Sequence, residues 1–74
     1  MERETVERQL IWAENAIKDG ERHIARQHEL IAHLEQTGQD TTEAVQVLHC
    51  IEKQQALRRM DRKRLRAMLD HYTL

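Results

Sequence analysis

The side chains with chemistry to offer are five histidines, one cysteine and a short basic run. His23, His28 and His33 recur every five residues. On a helix that spacing turns each about 140° from the last, whereas a shared metal needs ligands three or four residues apart. His28 and His49 approach each other only if the chain folds back on itself, and no Cys or carboxylate supports them. His71 stands apart, so no metal ligands are expected. Cys50 is the only cysteine, which excludes an intrachain disulfide; beside Ile51 it reads as a small packing residue. There is no Ser-His-Asp arrangement, no Gly-rich phosphate loop and no Cys-x-x-Cys. The sequence thus offers no catalytic residues and no cofactor site, and a bare pair of helices lacks the concave pocket that an enzyme needs.

The run from Arg58 to Arg66 holds six basic residues: Arg58, Arg59, Arg62, Lys63, Arg64 and Arg66. Alone, such a cluster would attract phosphates, and these six are the candidate nucleic-acid contacts. No aromatic residue interleaves them to stack on bases. The net charge is −1, and the start of the chain is acidic, with Glu2, Glu4, Glu7, Glu14, Asp19 and Glu21. Pairing between these two charge clusters, within or between chains, is the simpler reading.

What would position these residues follows from the stretch Leu34 to Ala44. Gly38 can close a helix in the left-handed conformation. Asp40 is a good N-cap, and Glu43 stands at the capping-box distance. So short a link sends two helices back alongside each other. Helix formers dominate the composition and Pro is absent, which leaves both arms free of obligatory breaks. The expected fold is all-α: an antiparallel, coiled-coil-like two-helix hairpin, one domain over 1–74, with helices over about 3–36 and 41–71 and a hinge at 37–40. Asp19-Gly20 is the one place where the first helix could break.

Along the first arm, Leu10, Ile17, Ile24 and Ile31 recur every seven residues. Val6, Ala13, Gly20, Gln27 and Leu34 fall between them, completing a coiled-coil seam. Glu7, Glu14, Glu21, His28 and Glu35 form a stripe beside it. Along the second arm, Ala44, Val47, Leu48 and Ile51 make an apolar face near the hinge, and Leu65, Met68, Leu69 and Tyr72 another at the far end. Between them the inward positions become polar at Gln54, Gln55, Arg58, Asp61 and Arg62. Folding back brings Gln27 near Ile51 and Gly20 near Arg58. Gly20, Gln27, Gln54, Gln55 and Arg58 thus form a polar waist between two apolar ends. Such a waist either selects helix register or binds a polar ligand or partner side chain.

A two-helix unit buries little apolar surface, so self-association is expected, most simply a homodimer forming a four-helix bundle. Candidate interface residues are Leu10, Ile11, Trp12, Ile17, Ile24, Leu30, Ile31, Leu57, Leu65, Met68, Leu69 and Tyr72. A helix of another protein is a further candidate partner. No apolar run is long enough to span a bilayer, and the first residues lack the pattern of a secretory signal. A soluble, cytoplasmic protein without membrane partners is expected.

The segment Glu21-Arg22-His23-Ile24-Ala25-Arg26-Gln27-His28-Glu29-Leu30-Ile31-Ala32-His33-Leu34, continuing through Gly38-Gln39-Asp40-Thr41-Thr42-Glu43-Ala44 to Leu48, resembles a family of short, uncharacterised bacterial helical-hairpin proteins. Members tend to carry Arg where this chain has His23, His28 and His33, which implies a basic solvated face. The family supplies no activity. In shape the expected hairpin is also similar to the plasmid RNA-binding Rop hairpins, which dimerise into four-helix bundles; no motif carries an RNA site over.

Overall fold

The computed structural model describes residues 2–72 of the 74-residue sequence. Helix α1 runs over Arg3–Gln36 and helix α2 over Thr42–Tyr72. They pack antiparallel as a hairpin 57 Å long and 14 Å across, and no strand occurs among the described residues. α1 passes through Asp19-Gly20 unbroken.

The hinge closes as its residue types dictate. Gly38 takes φ +70°, where a β-carbon would be strained. Gly38 N donates to Glu35 O at 3.2 Å and Gln39 N to Leu34 O at 2.8 Å. These are the two bonds of a Schellman cap, and they satisfy carbonyls that the ending helix leaves free. Thr37 Oγ1 adds a bond to His33 O at 3.0 Å.

Asp40 caps α2 differently from the expected box. Its Oδ1 accepts from Thr42 N at 3.0 Å and from Thr42 Oγ1 at 2.7 Å, two residues on instead of three. The first carbonyl to accept within α2 is that of Thr41, from Val45 N at 2.9 Å. The helix therefore starts at Thr42, one residue later than the capping-box reading places it. The hydroxyl of Thr42, then its amide, holds the Asp40 carboxyl below its ordinary pKa.

The seam of α1 is the face turned to α2. Val6, Ile17 and Gly20 are buried, and Leu10, Ala13, Ile24, Gln27, Ile31 and Leu34 are half-buried. On α2 the inward positions are Ala44, Leu48, Ile51, Gln55, Arg58, Arg62, Leu65 and Leu69, which step by four and three. That step corrects three sequence readings. Val47, Gln54 and Asp61 are exposed on the flank of the seam, and so is Cys50. Ile17 and Leu65, offered as oligomer contacts, are 3% and 1% exposed, so they serve the seam between the arms and not an outer surface.

The hinge yields two expected outcomes. Gly38→Ala should cost about 1 kcal/mol of stability through left-handed strain, measured by thermal denaturation. Asp40 has a folded pKa below its unfolded one, so its bonds to Thr42 stabilise above the unfolded value of 3.8. That stabilisation is lost as pH falls through the folded value. Asp40→Ala should therefore lower the melting temperature at neutral pH, and the gap from wild type should close as pH falls below 3.8.

Candidate functional site

Two glutamines join the helices across the seam, each reaching a backbone carbonyl of the opposite arm. Gln55 Nε2 on α2 donates to Ile17 O on α1 at 2.7 Å. Gln27 Nε2 on α1 donates to Ala44 O on α2 at 2.8 Å. A helix carbonyl has a second lone pair for such a bond. Gln27 thus reaches toward the hinge and Ala44, where the sequence placed it near Ile51.

Gln55 is the one buried polar residue among those described, at 1% exposure. It fits because Gly20 is opposite. A β-carbon at Gly20 would overlap Gln55 Oε1 and stand 3.1 Å from Arg58 Nη1. Gly20 is therefore a notch that receives the Gln55 amide, and any side chain there would push the arms apart. Gln55 Oε1 itself is buried without a hydrogen-bond partner. Of the waist residues, Gly20 and Gln55 are buried, Gln27 and Arg58 half-buried, and Gln54 exposed.

Three shallow grooves follow one flank of the seam. The hinge groove is lined by Gln27, Leu30, Leu34, Asp40, Glu43, Ala44 and Val47. The middle groove is lined by Ala16, Asp19, Gly20, His23, Ile51, Gln54 and Arg58. The distal groove is lined by Gln9, Trp12, Ala13, Ala16, Arg58 and Asp61. Gln9, Ala16, His23 and Leu30 recur every seven residues on α1, and Val47, Gln54 and Asp61 do so on α2. The periodicity that flags the acidic stripe of Glu7, Glu14 and Glu21 on the other flank would also have found this mixed row, in which Ala16, Leu30 and Val47 are the small or apolar members. A surface without concavities was expected; the Ala and Gly positions open these.

The most exposed large apolar side chains among the described residues are Trp12 and Met60 at 68%, Leu57 at 64% and Ile11 at 56%. Leu30, Val47 and Tyr72 are also exposed. Trp12, Leu30 and Val47 line grooves, and Leu57 lies beside Gln54 and Asp61, three and four residues away on the same helix surface. Val47 and Met60 were not among the expected interface residues. Val47 lies where the seam turns away, and Met60 on the outermost side of α2. Ile24, Ile31, Leu10, Met68 and Leu69 are half-buried in the hairpin.

The basic run does not make one surface. Arg66 Nη2 reaches Glu14 Oε1 at 3.3 Å across the helices, and Arg64 Nη2 reaches Asp61 Oδ1 at 2.7 Å within α2. The remaining ion pairs among the described residues, Arg3–Glu7 and Arg22–Asp19, lie within α1. Exposed pairs of this kind contribute a few tenths of a kcal/mol each, so Glu14–Arg66 orients the arms only weakly. Arg59 and Lys63 are exposed, Arg58 and Arg62 half-buried. The five histidines are exposed, and no three His, Cys, Asp or Glu side chains among the described residues converge on a metal position. No helix among them is long and apolar enough to cross a membrane.

The chain matches no protein-family model, no curated protein and no solved structure. None of these comparisons bears on the resemblance expected for residues 21–48.

The notch makes a sharp expectation. Gly20→Ala should destabilise by about 1–3 kcal/mol, although Ala is the better helix former. Gln55→Ala, which empties the space, should make Gly20→Ala far less costly. A double-mutant cycle by chemical denaturation measures this coupling.

Proposed function

We propose that this chain is a homo-oligomeric helical-hairpin interaction module whose grooved flank packs on a second copy to form a four-helix bundle. The observation that carries this reading is the row of exposed apolar side chains beside the grooves: Trp12, Leu30, Val47 and Leu57. Among the described residues only Val6, Ile17, Ala44, Leu48 and Leu65 form the buried apolar core. That is little for two helices of 34 and 31 residues. Covering the grooved flank would add large side chains to the core, which is how helical bundles gain stability. The other flank, with its acidic stripe and the Glu14–Arg66 pair, suits solvent. The mechanism is packing, and the function is to hold copies of the chain together. A reducing, cytoplasmic setting belongs to the same proposal, because an exposed Cys50 is open to oxidation elsewhere.

A second reading is favoured by one observation. Arg59, Lys63 and Arg66 are exposed and four and three residues apart, so they share a stripe of α2 that could follow a phosphate backbone. Arg66 already holds Glu14, which weakens that stripe.

Sedimentation equilibrium at micromolar concentration should show a dimer. Trp12→Ser combined with Leu57→Ser should weaken it at least tenfold with helicity unchanged, since both side chains are exposed in the hairpin. A helical monomer at all accessible concentrations would refute the assembly. Titration with RNA and DNA at rising salt tests the second reading: it requires binding that weakens steeply with salt, and the packing module requires none near physiological salt.

A further inference from the structure

Resting on the self-association proposed above, we infer that the two copies pack with their hinges at the same end, and that Arg58 of each copy pairs with Asp19 of the other. Arg58 is half-buried at the middle of the grooved flank and lines two of its three grooves. It holds no hydrogen bond or ion pair among the described residues. Its Nη1 lies against the Gly20 notch. A guanidinium removed from part of its water and given no acceptor is incomplete, and a second copy on this flank would supply the acceptor.

Of the acids lining these grooves, Asp40 and Glu43 belong to the hinge groove, whereas Asp19 and Asp61 each share a groove with Arg58 and are the candidates. Asp61 is held tightly by Arg64, whose Nη2 and Nε stand 2.7 and 3.2 Å from Asp61 Oδ1. Asp19 has only a single 3.5 Å contact with Arg22. Asp19 is therefore the carboxylate free to be recruited.

That choice fixes the orientation. A twofold axis along the hairpin lays α1 of each copy over α2 of the other at an unchanged distance from the hinge. Asp19 and Arg58 line one groove in the same chain, so they are at the same level and meet across the interface, twice by symmetry. Leu30 and Val47 also share a groove, so each would cover the other's counterpart. A twofold across the hairpin would instead lay α2 on α2 and offer Arg58 the engaged Asp61.

The test mixes two variants. Arg58→Asp alone and Asp19→Arg alone each place like charges at both contacts of a homodimer, and each should weaken dimerisation about tenfold or more. Mixed together, they form a heterodimer in which both contacts join opposite charges, and affinity should return close to wild type. A contact within one chain could not be rescued by mixing. Circular dichroism verifies that each variant is helical. Should Arg58→Asp not fold, the exposed change Asp19→Arg alone must weaken the dimer while Asp61→Arg alone does not. A dimer indifferent to these changes, or one restored by mixing Arg58→Asp with Asp61→Arg, overturns this arrangement and leaves self-association standing. A monomeric wild type overturns the parent reading itself.

Discussion

The bond from Gln55 Nε2 to Ile17 O, 2.7 Å long and made inside the Gly20 notch, is the constraint on which the hairpin's geometry depends. Side-chain packing along an apolar seam is tolerant of sliding, because one aliphatic contact resembles the next. An amide that must find one carbonyl, in the only gap without a side chain, is not tolerant. Gln27 repeats the device from the other arm, near the hinge. Between them the two bonds tie α1 to α2 at two levels, and the register of everything outside the seam follows.

That register decides which residues remain for other work. With Ile17, Leu48 and Leu65 spent inside, the seam leaves Trp12, Leu30, Val47 and Leu57 outside, gathered on one flank with the grooves. The two flanks are chemically unequal. One carries the Glu14–Arg66 pair; the other is indented and carries Trp12, Leu30 and Val47 among polar residues, with the unengaged Arg58 at its centre. The self-association proposed above would draw on this inequality, since a surface apolar all round would aggregate without order.

The polar waist has a cost as well as a use. Gln55 Oε1 is buried without a partner, and such a group opposes folding. Replacing the waist with leucines would give a deeper core but a seam without a fixed register. Among the described residues, the hairpin keeps its buried Gln55 amide at the level of the Gly20 notch.

Much of this was legible in the sequence. Gly38 and Asp40 fixed a hinge, and the sevenfold recurrence of Leu10, Ile17, Ile24 and Ile31 fixed the inward face of α1, because backbone conformation and helical period are local properties. The polar break in the second arm was visible too, though not its geometry. Which glutamine is buried, Gln54 or Gln55, depends on a rotation of one residue about α2, and only the arms' mutual packing sets that angle. The same holds for Val47 and Cys50, which sit beside true seam positions and turn outward by one step of the helix. The capping bond to Thr42 and the Asp61–Arg64 pair are local contacts two and three residues apart, so spacing allows them and side-chain reach selects them from the alternatives. Sequence spacing determined what could face what; the tertiary structure decided which polar atoms across the seam found partners.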